Sequence, residues 1–155
     1  MGTMVACATA KGICLLEFSD RKGLETELKQ LAKSFNANII QGHNSHFEKL
    51  KEELNAYFKG NLKVFTVPLD ISGTDFQKQV WKALTDIPYG STSSYLKQAK
   101  TLGRPSAIRA VANANGMNKI AIIIPCHRVI GSDGSLTGYA GGLWRKRKLL
   151  DLEKK

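Results

Sequence analysis

The sequence predicts a mixed α+β protein. A small N-terminal α/β domain is expected over residues 1–69, and a mainly helical domain with a helix-turn-helix and a candidate nucleophilic cysteine over 70–155. Three observations predict this. Up to Leu69, short strand-like runs alternate with segments of helical apolar spacing. From Thr74 onward, short capped helices follow one another, separated by Gly and Pro turns. Near the C-terminus, two apolar runs frame Pro125-Cys126-His127-Arg128.

In chain order, Val5–Ala8 and Ile13–Leu16 read as two strands joined by Thr9-Ala10-Lys11-Gly12. The chain opens almost directly into the first of them, so the N-terminal sheet is expected to be cut short at its start. Gly23–Phe35 reads as an amphipathic helix with Leu24, Leu28, Leu31 and Phe35 on one face. Asn38-Ile39-Ile40 reads as a short strand, Phe47–Phe58 as a second helix, and Val64–Leu69 as a strand ending at Pro68. His43-x-x-His46 would place two imidazoles on one helical face, but no further ligands lie nearby, so no metal site is expected.

Thr74 with Gln77 forms a capping box that starts a helix whose apolar stripe is Phe76, Val80, Ala83 and Leu84, with Trp81 read as core. Ser93 or Ser94 can cap a helix from Tyr95 to Leu102, and Ser106 can cap another from Ala107 to Asn115, stopped by Gly116. The pair, joined through Gly103-Arg104-Pro105, reads as a helix-turn-helix. Its second helix is alanine-rich and thin, with Arg109 projecting, which suits close entry into a groove; the competing reading is an alanine-rich core helix. With the net charge, the tract Arg145–Lys148 points toward nucleic acid; the competing reading, the commoner one for charge runs, is the solvated face of a last helix that turns Leu143, Leu149, Leu150 and Leu152 inward.

Cys126 carries the chemistry. Ile122–Ile124 is β-branched and expected to be buried, which sets the reactive residues at the edge of the core. His127 and Arg128 put two potential cations beside the thiol, and such neighbours favour the nucleophilic thiolate. The competing reading is a small buried hydrophobe, as most free cysteines are. The following segment has five glycines in the twelve residues 131–142, together with Leu136 and Tyr139, and reads as the wall of a pocket for a flat ring.

Composition narrows the class. Three cysteines, an odd number without a C-x-x-C pair, argue against a disulfide framework or zinc knuckle. No apolar run approaches membrane-spanning length and no secretory signal is visible, so a cytoplasmic protein without a membrane partner is expected. A net charge of +10 suits a polyanion partner or a merely soluble basic protein, and the motifs must decide between them.

Pro125-Cys126-His127-Arg128-Val129-Ile130 resembles the active-site signature of the O6-alkylguanine-DNA alkyltransferases, the methylated-DNA–protein-cysteine methyltransferases. Gly103–Val111 resembles that family's recognition helix, and Ser94-Tyr95, Asn118, Gly138–Gly142 and Leu149–Glu153 fall at its relative spacings. The likeness covers about Leu69–Glu153 strongly and includes the C-terminal domain of bacterial adaptive-response proteins; the first part resembles the family's variable N-terminal domain.

The resemblance implies direct-reversal DNA repair: one irreversible transfer of a methyl or alkyl group from O6 of guanine, with O4 of thymine a further allowed position, to Cys126 after nucleotide flipping. It implies that His127 takes the thiol proton through a water, Glu153 orients His127, and Asn118 braces the turn. Tyr95, Tyr139, Ala140 and Leu136 would bind the guanine. Arg109, Ala110, Ser94, Arg104 and Ser106 would contact duplex DNA in the minor groove, Arg109 replacing the flipped base. A monomer without cofactor, nucleoid-associated when on DNA, is implied. The alternative is a non-catalytic protein that binds or senses alkylated DNA, but in such relatives the cysteine is replaced. A cysteine hydrolase would need turnover, and no separate hydrolase motif is present. The sequence departs from the family's pattern at Lys119, where proline is usual, at Gln98, where an aliphatic residue is usual and Leu96 is expected to pack instead, and at Ala140, which lacks a hydroxyl.

Overall fold

The computed structural model describes residues 1–155 as two compact units, Met1–Ser72 and Gly73–Lys155. No helix is long and apolar enough to cross a membrane.

The first unit is built on a hairpin of β1 (Met4–Ala8) and β2 (Ile13–Phe18), antiparallel with Met4 opposite Phe18 and a register shift between Cys7 and Ala8. Every residue of β2 is buried, whereas β1 is only half-buried. Gly12 closes the turn because a Cβ there would collide with the Pro68 carbonyl. Helices α1 (Leu24–Ser34) and α2 (Ser45–Phe58) follow. Leu31 joins Cys14 and Leu15 in a small core, and the Asn44 side chain caps α2 by accepting from the His46 amide. Arg21 Nη1 bridges two buried carboxylates, Glu17 at 2.7 Å and Glu27 at 2.6 Å.

Three sequence expectations fail in this unit. Asn38–Ile40 is not a strand, and Ile40 is 84% exposed. Val64–Leu69 forms no ladder. Only Leu69 bridges to Ile13, while the Glu53 carboxylate takes the Thr66 and Val67 amides; amides already satisfied by a side chain need no sheet partner. His43 lies ahead of α2 and only His46 is inside it, so the two imidazoles do not share a helical face.

The second unit is mainly helical. Helix α3 (Asp75–Thr85) starts at the expected capping box, Thr74 Oγ1 accepting from the Gln77 amide and Gln77 Oε1 from the Thr74 amide. Trp81 is buried and donates Nε1–H to the Ala114 carbonyl at 2.8 Å. Helices α4 (Tyr95–Thr101) and α5 (Ile108–Gly116) form the helix-turn-helix. Ser94 caps α4 through the Lys97 amide. Ser106 does not cap α5; Ala107 holds the N-cap position without a side-chain bond. Strands β3 (Ser93–Ser94) and β4 (Val129–Ile130) make a two-residue parallel pair. That pair anchors the start of α4 beside the chain leaving the cysteine turn.

Helix α6 (Leu143–Glu153) closes the unit. Leu149 and Leu150 are buried, but Leu143 is 46% exposed, and Arg145 and Lys146 are buried where a solvated charge run is predicted from sequence. The cause is local. Arg145 donates to the Gly141 carbonyl and Lys146 to those of Thr137 and Gly138, so the preceding glycine loop supplies the acceptors that let two cations leave water. Gln98, not Leu96, fills the interior of α4, for a reason taken up below.

Candidate active site

The run Ile120–Ile124, buried except for half-buried Ile123, is followed by a single 3-10 turn, Cys126–Arg128. The run is a turn, not a strand, and Ile122 sits at φ 72, a left-handed conformation costly for a β-branched residue. Asn118 holds it: its Oδ1 accepts the Ile120 amide at 3.0 Å, and its Nδ2 donates to the Ile124 carbonyl at 2.8 Å. The same Nδ2 reaches Cys126 Sγ at 3.3 Å. One side chain thus spans the turn and supplies a donor to the sulfur, which favours a negative charge there. Cys126 is only partly covered, unlike the buried Cys14.

His127 is completely buried, with Nε2 2.7 Å from Glu153 Oε1. With Glu153 a carboxylate, the shared proton sits on Nε2 and leaves Nδ1 a lone pair; Nδ1 is buried and meets no protein partner. Burial holds the His127 pKa below its ordinary 6.5, against the pull of Glu153. A group that resists protonation when folded makes the unfolded chain the better proton binder. Stability from this site is therefore expected to be intact above pH 6.5 and to fall as the pH drops below it. Denaturant titrations from pH 7.5 to 5 check this; a flat profile that His127→Gln leaves unchanged would contradict it.

Glu153 is buried near the end of α6 and is fully engaged. Arg128 donates Nε to Oε2 at 2.8 Å and Nη2 to Oε1 at 3.0 Å, and its Nη1 reaches the Ile87 carbonyl at 2.6 Å. The Gly90 amide adds a bond to Oε2 at 3.3 Å. Gly90 can approach this closely because it has φ 78 and no Cβ; one would stand 2.9 Å from the Glu153 carbonyl oxygen.

Tyr95, at the start of α4, donates its hydroxyl to the Thr137 carbonyl at 2.9 Å. Burial raises its pKa, so the phenol keeps its proton and remains a donor. Lys146 Nζ donates to the same carbonyl at 2.7 Å, which ties the glycine loop to α6. Burial draws the Lys146 pKa down to about 8, although the Cys126 sulfur acts the other way. The loop brings Leu136 and Tyr139 to half-buried positions and leaves Ala140 exposed.

Cys126, His127, Glu153 and Asn118 are therefore brought together, and Tyr95 approaches the glycine loop. Arg109 and Ala110 stand exposed on the first turn of α5, with Ser106 exposed just before it. Arg104 is also exposed and lies over the Phe76 ring at 5.4 Å from its centroid. Ser94 is occupied as a helix cap. Sequence reasoning missed Lys146 and the grip of Arg128 on Glu153. The contiguous Cys-His-Arg signalled Arg128 as a cation, but nothing in the chain showed that its partner lay 25 residues on. Of the net charge of +10, the second unit holds nearly all, with fourteen Lys and Arg against five Asp and Glu in residues 73–155.

Comparison with known proteins covers both units. A family model described as 6-O-methylguanine DNA methyltransferase, DNA binding domain, matches residues 75–155, and one described as the ribonuclease-like domain matches 1–71. A methylated-DNA–protein-cysteine methyltransferase of Mycobacterium bovis is 61% identical over 108 residues, 70% of this chain; the match spans 66% of that relative, just under two thirds. An inducible methylated-DNA–protein-cysteine methyltransferase of Bacillus subtilis is 43% identical over 148 residues, 96% of this chain and 82% of the relative. The crystal structure of Mycobacterium tuberculosis OGT in complex with DNA superposes with a TM-score of 0.82 at 43% identity, covering 99% of this chain and 90% of that one.

Proposed function

Because the chain belongs to the 6-O-methylguanine DNA methyltransferase family, we propose that it repairs DNA directly, by moving a methyl or larger alkyl group from O6 of guanine to Cys126. The observation that carries this reading is the half-buried Cys126, whose sulfur lies 3.3 Å from Asn118 Nδ2 and which is adjacent in sequence to a buried His127–Glu153 pair.

The chemistry follows from those groups. His127 Nδ1 takes the thiol proton through a water, and Glu153, paired with Arg128, stabilises the imidazolium that forms. Asn118 steadies the thiolate. The sulfur attacks the saturated carbon in line; the S–C bond forms as the C–O bond breaks, and the oxygen leaves with the bonding electrons. Tyr95, kept protonated, turns its hydroxyl to the guanine and offsets the charge that develops on the ring, and the proton held by His127 passes back through water to ring N1, leaving neutral guanine. The product is a thioether that water does not hydrolyse, so each chain acts once. O4-alkylthymine presents the same kind of carbon and is a second substrate.

The target atom is inside a duplex, so the nucleotide must leave the stack at a cost of a few kcal/mol. The cationic second unit supplies the phosphate attraction. Arg109, on thin α5, enters the minor groove as a monomer's wedge and fills the vacated place, with Ala110, Ser94, Arg104 and Ser106 against the backbone. Tyr139, Leu136 and Ala140 line the guanine site.

Mixing the protein with excess O6-methylguanine duplex tests this. Guanine should be restored to the extent of one equivalent per chain and then no further, and Cys126→Ala should restore none. Continued turnover, or full activity in Cys126→Ala, would refute the proposal. A protein that binds the lesion without transfer would support the lesion-sensing alternative.

A further inference from the structure

The helix-turn-helix contains a buried polar joint that the alkyl-transfer chemistry does not use. Gln98 on α4 is 3% exposed and Asn115 on α5 is 6% exposed. Their amides are paired reciprocally: Gln98 Nε2 donates to Asn115 Oδ1 at 3.1 Å, and Asn115 Nδ2 donates to Gln98 Oε1 at 2.8 Å. Gln98 Nε2 also reaches the Val80 carbonyl of α3 at 3.3 Å. Three helices meet at one pair of side chains, and each bond is directional. An apolar contact would tolerate sliding and rotation, whereas this pair is satisfied over a narrow range of α4–α5 geometry.

We infer that the Gln98–Asn115 pair is a positioning joint that sets the tilt of α5 and so the placement of Arg109 for nucleotide flipping. This rests on the reading of α5 as the DNA-entering helix. Arg109 lies six residues before Asn115 in the same helix, about 9 Å along its axis at the α-helical rise. A tilt of about 10° about the Asn115 end therefore moves the Arg109 backbone by roughly 1.5 Å. Displacements near 1 Å can cost about 100-fold in a reaction that depends on alignment. The Cys126 turn is braced by Asn118 and does not need that alignment to meet a free base. The joint should therefore matter for duplex DNA and not for an alkylated base in solution.

Gln98→Leu removes one half of the pair and strands the Asn115 amide in the core, which α5 can relieve only by moving. Gln98→Leu/Asn115→Leu removes both amides. The wild-type chain and both variants are assayed for methyl transfer from an O6-methylguanine duplex and for benzyl transfer from free O6-benzylguanine, with Tm recorded for each. Gln98→Leu should slow the duplex reaction by about tenfold or more while the free-base rate stays within about twofold, and the double variant should recover most of the duplex rate. If Gln98→Leu lowers both rates by the same factor, or lowers neither, or if the double variant is no better than the single one, the inference is overturned. A wild-type chain that transfers nothing from duplex would instead defeat the parent reading, so the two failures are distinguishable.

Discussion

Glu153→Ala is expected to lower Tm by about 10 °C and to slow alkyl transfer at least about 100-fold, the largest effect of any single change outside Cys126. The carboxylate accepts from His127, twice from Arg128 and once from the Gly90 amide, all in the interior. Its removal leaves the Arg128 guanidinium buried without its counter-ion, and breaking one side of a buried pair costs about 3–5 kcal/mol. For a chain of this size each kcal/mol shifts Tm by about 2–4 °C. The same change removes the acceptor that fixes the His127 proton on Nε2, so the lone pair is no longer held at Nδ1. Glu153→Gln keeps an acceptor but not the charge, and should fall between the two. Calorimetry and single-turnover assays check this together; a variant with unchanged Tm and rate would show that the buried pair supports neither the fold nor the chemistry.

Arg109→Ala is expected to slow repair of duplex by about 100-fold while reaction with free O6-benzylguanine changes by less than about twofold. Arg109 is exposed, so its loss should leave Tm within about 1 °C. Extruding a base costs a few kcal/mol, and a guanidinium that fills the gap repays part of that cost only when a duplex is present. Equal losses on both substrates would contradict the assigned part in flipping. This variant and Gln98→Leu should fail in the same way, since one removes the wedge and the other misplaces it.

How far these features were legible in the sequence depends on the range of the interactions that set them. The capping box at Thr74–Gln77, the hairpin around Gly12 and the core placement of Trp81 arise from neighbours in sequence or from helical periodicity, and they could be read directly. Long-range satisfaction could not. Val64–Leu69 has strand composition, but it meets β2 only at its end, at Leu69, and the Thr66 and Val67 amides go to Glu53. Arg145 and Lys146 sit in what looks like a solvated charge run and are buried because the carbonyls of Thr137, Gly138 and Gly141 receive them. Gln98 looks misplaced on the inner face of α4 until Asn115, seventeen residues on, is seen opposite it. Within the candidate site, Cys126 with His127 and Arg128 stood out as a contiguous cluster, whereas the assignments of Glu153, Asn118 and Tyr95 came from family resemblance; nothing in the local pattern shows that they converge.

The measurement that bears most directly on the proposed transfer is peptide mass mapping after reaction with one equivalent of O6-methylguanine duplex. Two other cysteines serve as internal controls: Cys14 is buried, and burial raises the Cys7 pKa, which disfavours its thiolate. The expected result is one added methylene on the peptide carrying Cys126, in proportion to the guanine restored, with the Cys7 and Cys14 peptides unchanged. Restored guanine with an unmodified Cys126 peptide, or the methyl group on any other residue, would contradict the account.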